Sequence, residues 1–368
     1  MKRRDFLRRH AAATLGATAF GAALPDALTA TAAPARRSER LARGRSGGKV
    51  LNAYYFRAHM YTCVPRHVRH DMETMAEWGT THVTIAVLEQ DFRAAHHNID
   101  LVCAEAARVG MQVLAVPSRW CGLFAGAPKV PSEFAAEYPE TWARKKNGDP
   151  VISGPSGPVC SVFHPRVQDY LLDLTEELVT RFDIAGIVMD EPKKLPNRDF
   201  SEAATALLGE DAPKAEHVAG KVAFFDRMGQ TMKAARPDAS LGLFVHASKA
   251  GQHDDVIEAL AAMPTLDAFG CDGRPWDEGV VAERNWNRKC LFPHIDTFLA
   301  AAERHGKRSL CLVENYDLPM RYLGHLDEGY PRILDLGLDE LLYYYYPRNI
   351  EDPEAQMAVV SKHVMTYA

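Results

Sequence analysis

Eight short apolar runs, separated by helical patterns, constrain the fold of this sequence more than any other feature. They fall at residues 50–55, 82–88, 111–117, 186–190, 241–245, 266–271, 309–314 and 341–346. Each has the length of a strand. Several are apolar almost throughout, such as Ile187-Val188-Met189 and Leu241-Gly242-Leu243-Phe244-Val245. A strand buried on both faces reads this way, whereas a half-exposed strand alternates. Between the runs, residues 64–78, 99–109, 165–182, 217–235, 253–262, 295–305 and 353–365 place apolar side chains three and four apart, as amphipathic helices do. Gly110 and Gly306 stand where two of these helices should stop. The stretch after Tyr316 has the weakest helical pattern. The alternation predicts an α/β chain, a single-domain (β/α)8 TIM barrel over residues 49–368. An open doubly wound sheet is the alternative. No glycine fingerprint follows the first run, however, so no dinucleotide site, and no other cofactor, is expected.

The first 48 residues read differently. The chain opens with Lys2, Arg3, Arg4, Arg8 and Arg9, continues with an Ala-rich apolar stretch, and reaches the small-residue pattern Ala30-Thr31-Ala32. Basic, apolar and cleavage regions in that order predict an export signal over residues 1–32. Arg3-Arg4-x-Phe6-Leu7 resembles the twin-arginine motif. The apolar stretch is too short to span a bilayer. Residues 33–48, rich in Arg, Ser, Gly and Ala, read as a flexible leader. The expected location is periplasmic or extracellular.

Charge follows the same division. The formal net charge is −5, but residues 1–50 carry 11 Lys/Arg against 3 Asp/Glu, which leaves the other 318 residues at −13. An acidic body argues against nucleic acid as partner. The seven cysteines form no CxxC pair and no zinc spacing. Cys121 and Cys160 flank one long loop and are the pair placed to join after export. The histidines show no metal-ligand spacing, so no metal is expected. Oligomeric state is not encoded in any pattern of the sequence.

Chemistry in this fold sits at the C-terminal ends of the strands. Those positions hold Arg57 and His59 after the first run, Glu89 after the second and Arg119 and Trp120 after the third. Asp190 and Glu191 follow the fourth, His246 the fifth, Asp272 with Arg274 and Trp276 the sixth, Glu314 and Tyr316 the seventh, and Tyr345 ends the eighth. The longest insertion, 118–164, follows the third run. A loop of that length in a compact domain is usually functional. Opposed carboxyls and aromatic rings are what glycosidic bond cleavage needs. One carboxyl protonates the leaving oxygen, and a second attacks the anomeric carbon or activates water. Carboxyls about 5–5.5 Å apart would give retention, and a wider separation inversion. Arg57, His59 and His246 would bond sugar hydroxyls, while Trp120, Trp276, Tyr316 and Tyr345 would pack against the rings.

The segment Phe182-Asp183-Ile184-Ala185-Gly186-Ile187-Val188-Met189-Asp190-Glu191-Pro192 resembles the fourth strand of bacterial barrel glycoside hydrolases, and His164-Pro165-Arg166-Val167-Gln168-Asp169-Tyr170 resembles their entry into the third helix. The resemblance implies a glycoside hydrolase and offers two assignments. In one retaining clan the fourth strand ends Asn-Glu-Pro. Glu191 would then be acid/base and Glu314 nucleophile, with Asp190 in place of the Asn. In retaining α-glycosidase clans the fourth-strand Asp is the nucleophile, which makes Asp190 nucleophile and Asp272 acid/base. Cys271-Asp272-Gly273-Arg274-x-Trp276 is similar to that sixth-strand segment.

The expected function is a secreted glycoside hydrolase acting on an oligosaccharide or polysaccharide. The alternatives are a non-catalytic carbohydrate-binding barrel and a metal-dependent barrel hydrolase or isomerase. Sequence favours the first, because binding alone does not need carboxyls on the fourth, sixth and seventh strands.

Overall fold

The computed structural model describes residues 48–55, 63–126, 129–281, 289–347 and 351–367. Eight parallel strands close into a barrel, each paired with its neighbours in chain order and the last with the first. They are β1 (Val50–Tyr55), β2 (His82–Val87), β3 (Gln112–Pro117), β4 (Gly186–Asp190), β5 (Ser240–His246), β6 (Ala268–Gly273), β7 (Arg308–Val313) and β8 (Glu340–Tyr345). An outer helix follows each: α1 (Pro65–Glu77), α2 (His96–Arg108), α3 (Pro165–Arg181), α4 (Lys214–Ala235), α5 (Asp254–Ala261), α6 (Ile295–Arg304), α7 (Leu323–Leu334) and α8 (Pro353–Val364). This is the expected (β/α)8 TIM barrel.

The apolar runs are strands buried from two sides. Inward side chains such as Tyr54, Val188, Phe244, Leu310, Leu342 and Tyr344 fill the barrel. Outward ones, including Leu51, Val83, Ile187 and Leu243, meet the inner faces of the helices in a larger core. At the N-terminal end of the barrel the filling is polar: Thr84 Oγ1 donates to Asn52 Oδ1 at 2.9 Å, and Asn52 Nδ2 donates to Glu340 Oε1 at 3.2 Å. Gly270 in β6 is required by close approach, since a Cβ there would overlap the Leu310 carbonyl.

The weak pattern after Tyr316 has a physical cause. Its helix, α7, contains Pro331 in its interior, while Leu326, Tyr330 and Ile333 form the buried stripe. The long insertion after β3 is ordered by the antiparallel bridges Trp142↔Cys160, Arg144↔Pro150 and Ile152↔Pro158. Glu89 anchors it. The buried carboxylate accepts from the Cys121 N–H at 2.8 Å, the Phe134 N–H at 2.9 Å and Ser132 Oγ at 2.8 Å. Cys121 and Cys160 are buried free thiols whose backbones meet, the Cys160 N–H donating to the Cys121 carbonyl at 2.9 Å.

Candidate active site

Strand alternation decides which side chains reach the mouth of the barrel. Asp190 ends β4, His246 ends β5 and Asp272 lies one residue from the end of β6, with His246 opposite Asp272 in the register. Glu314 follows β7 directly, and its N–H donates to the Gly273 carbonyl at 2.8 Å. Glu191 breaks the alternation. Two consecutive strand residues cannot both face inward, but Glu191 has φ 38°, in the left-handed region. Its N–H still bonds the Phe244 carbonyl at 3.0 Å. This turn brings Glu191 to the same centre as the strand-borne acids. Oxygens of Glu191, Asp272 and Glu314 all lie within 4.8 Å of one another.

Three carboxyls this close cannot all ionise. Burial, then the neighbouring Glu191 and Glu314, push Asp272 well above the carboxylate range, so it holds a proton and bonds Glu191. Burial opposes charge on Glu191 as well, but the charge of Lys193 outweighs it and holds that carboxyl below the usual range. The Lys193 ammonium lies 2.5 Å from Glu191 Oε2. Burial of Glu314 is likewise overcome by Lys289 and Arg274. Lys289 Nζ stands 3.0 Å from both Glu314 oxygens and bonds the Tyr316 hydroxyl, while Arg274 Nε is 3.9 Å from Glu314 Oε2. Burial lowers the pKa of His246, so its ring is neutral. Its Nδ1 accepts from the Ser248 N–H at 3.2 Å, which leaves the proton on Nε2.

Asp190 sits behind this group. It is 5% exposed, and Oδ2 accepts from the Tyr54 hydroxyl at 2.8 Å. Burial and the Glu191 charge raise its carboxyl to about 7. Tyr54 stacks on Tyr344, with ring centroids 5.3 Å apart, and Tyr316 meets Tyr344 edge-on at 5.4 Å.

The structure thus brings together Asp190, Glu191, His246, Asp272, Glu314 and Tyr316. It puts three of the expected sugar-packing rings elsewhere. Trp120 is fully buried, donates its indole N–H to the Val87 carbonyl at 2.8 Å and packs edge-on against Phe92. Trp276 is 2% exposed beneath Tyr322 and His325. Tyr345 points outward, its hydroxyl 3.3 Å from Asp71. None offers an open face to a sugar, so each is corrected to a packing role. The inward tyrosine of β8 is Tyr344. Arg57 and His59 lie outside the described residues. Lys193, Lys289, Tyr54 and Tyr344 are site residues that sequence reasoning missed. Alternation within Tyr54-Tyr55 and Tyr343–Tyr346 was a signal for the tyrosines, and proximity to Glu191 for Lys193. Nothing local marks Lys289.

A cavity of ≈ 600 Å³ opens beside the acids. Its walls are the segment after β4 from Glu191 to Asn197, the end of β5 with His246, Ser248 and Lys249, and an apolar side formed by Val256, Ile257 and Leu260 of α5. Lys289 and Ser153 complete it.

No family model matches the sequence, and no curated protein matches it. The fold does have solved relatives. The chain is similar to the catalytic domain of β-amylase from Paenibacillus polymyxa, with TM-score 0.59 and 10% identity, over 87% of this chain and 99% of that one. It is also similar to the endo-β-1,4-mannanase of Thermotoga petrophila, with TM-score 0.53 and 10% identity, over 88% and 77%. The α-galactosidase of Thermus thermophilus has TM-score 0.51 and 11% identity, over 89% and 65%. At these identities the likeness is one of fold, the (β/α)8 barrel.

Proposed function

We propose that this protein is a retaining glycoside hydrolase whose acid/base is Asp272 and whose nucleophile is Glu191. The observation that carries the reading is the convergence of three carboxyls within 4.8 Å of one another beside a cavity. Oxygens no more than 4.8 Å apart stand nearer than the inverting spacing of about 6.5–9.5 Å. The charge states support a division of roles that takes one residue from each assignment the resemblance offered. Asp272 holds the proton that must pass to the glycosidic oxygen. Glu191 is ionised, lines the cavity and keeps a quarter of its side chain exposed. Glu314 is ionised but clasped by Lys289 and Arg274, a setting suited to fixing charge and orienting groups. Asp190 is shielded by Tyr54.

In the first step Asp272 protonates the leaving oxygen as the Glu191 carboxylate bonds the anomeric carbon. In the second, ionised Asp272 takes a proton from water as that water displaces Glu191. Azide tests the assignment. Glu191→Ala should lose hydrolysis of an aryl glycoside and regain turnover with azide, releasing a glycosyl azide inverted relative to the substrate. Asp272→Asn should cost about 10²–10⁴-fold with a poor leaving group and far less with a dinitrophenyl one. If Asp190→Asn, Glu191→Gln, Asp272→Asn and Glu314→Gln all keep full activity, the site proposed here does not exist.

A second reading, a metal-dependent barrel hydrolase, has one observation in its favour: the same three carboxyls have metal-ligand spacing. Lys193 and Lys289 compete with a cation for two of them. Loss of activity on chelation, restored by a divalent ion, would favour this reading over the first. The N-terminal pattern supports export by the twin-arginine route as part of the proposal.

A further inference from the structure

The cavity beside the acids is built from cations. Among the described residues Lys193, Lys194, Lys249 and Lys289 line it, together with His246 and His253, against one carboxylate, Glu191. Lys193 is paired with Glu191 and Lys289 with the buried Glu314. Lys194 and Lys249 have no carboxylate partner among the described residues. Their surplus is local, because the chain beyond residue 50 carries a net charge of −13. A positive cavity on an acidic body focuses field on whatever enters it.

Two further features sharpen the point. Among the described residues no Phe, Tyr or Trp lines the cavity, and Trp120 and Trp276, the expected stacking residues, are buried away from any open surface. The described walls instead set an apolar side of Val256, Ile257 and Leu260 together with the lysines. The lysine-bearing segment is also held in place. Lys221 donates to the Lys194 carbonyl at 3.2 Å, the Leu195 carbonyl at 3.3 Å and the Asn197 carbonyl at 2.5 Å. Lys194 itself has φ 57°, which turns the chain at that point.

We infer that the cavity binds an anionic glycan, a sugar carrying a carboxylate or a sulfate ester, with Lys194 and Lys249 holding the acidic group. Resting on the glycosidase reading above, this makes the substrate an acidic oligosaccharide rather than a neutral one. The apolar wall takes the C–H face of the ring, Lys193 and Lys289 keep Glu191 and Glu314 ionised, and the anion supplies the charge that Lys194 and Lys249 lack.

Calorimetry on the full chain with matched probes tests it. One pair is an oligogalacturonide and its methyl ester, the other a chondroitin sulfate oligosaccharide and its desulfated form, with the uronate esterified in both members. Each pair keeps linkage and sugar while removing charge, and the two distinguish carboxylate from sulfate. The charged member of at least one pair should bind about tenfold tighter or more at low salt, as charge-assisted hydrogen bonds imply. Added salt should erode that preference. Lys194→Ala/Lys249→Ala should bring the ratio close to one. Equal binding of charged and neutral members in both pairs, or a preference that survives the double substitution, overturns the inference. The glycosidase reading fails separately. Hydrolysis of neutral glycosides without charge preference refutes only the anionic site, whereas lysine-dependent anion preference without hydrolysis of any glycoside supports the site and refutes the enzyme.

Discussion

Replacing Asp190 by Asn should stabilise the protein at neutral pH and leave it nearly unchanged at pH 4. The carboxyl is buried and next to ionised Glu191, and stands at about 7 in the folded chain. In the unfolded chain it titrates near about 3.9. Between those values the folded protein holds a proton that the unfolded chain releases, so stability falls as pH rises, by about 1.4 kcal/mol per unit. Above about 7 both states are ionised and the loss is complete, at roughly 4 kcal/mol for a gap of about three units. Asn keeps an oxygen to accept from the Tyr54 hydroxyl, bonded at 2.8 Å in the native site, and carries no charge. Urea unfolding of both proteins at steps from pH 4 to pH 8 reads the difference directly. It should be near zero at pH 4, grow with pH and level off above 7. Glu191→Gln should shrink the effect, because the Glu191 charge is the second cause of the shift. A difference that is flat with pH, or a variant less stable than wild type at pH 8, refutes the reasoning.

Other consequences are sharper in sign than in size. Trp120→Ala should cost about 3–5 kcal/mol of stability, as large buried rings do, and leave KM unchanged; a raised KM in a folded variant would return Trp120 to the site. Lys289→Met should raise the Glu314 carboxyl, moving the acid limb of the pH–rate profile to higher pH, because burial then acts with one fewer opposing cation; an unmoved limb would separate Glu314 from activity. Arg3→Lys/Arg4→Lys should hold the protein in the cytoplasm, read by fractionation and by the mass of the exported form, expected to begin near Ala33.

The barrel was legible because burial from two sides leaves a strand without the polar residues that break a pattern. Ile187-Val188-Met189 and Leu241–Val245 show this directly. The strand-end acids were legible for the same reason: a charge that ends an apolar strand stands at the mouth. Direction was not legible where the backbone turns. Trp120 follows β3 just as Asp190 ends β4, but Arg119 at φ 63° and Cys121 at φ 50° swing its ring under the insertion, toward Val87 and Phe92. In β8, alternation limits how many tyrosines face inward without choosing them; the pairing of Tyr54 with Tyr344 makes that choice. Lys289 arrives from a loop beyond β6, and its meeting with Glu314, 25 residues away, depends on the closed fold.

In the proposed mechanism, that meeting also decides the roles of the acids. Three carboxyls within 4.8 Å must share charge unequally, and carboxyl chemistry alone gives no reason for one to keep the proton. The cations break the tie. Lys193 stands against Glu191, while Lys289 and Arg274 stand against Glu314. Among the described residues Asp272 has no cation in contact and its Oδ1 has no partner, and it is 1% exposed. The proton therefore settles on Asp272, and the two ionised neighbours hold it there by raising the cost of a third charge. An acid and a nucleophile can then coexist at neutral pH within one small group. Neither residue type nor strand number assigns them; the placement of three basic side chains does.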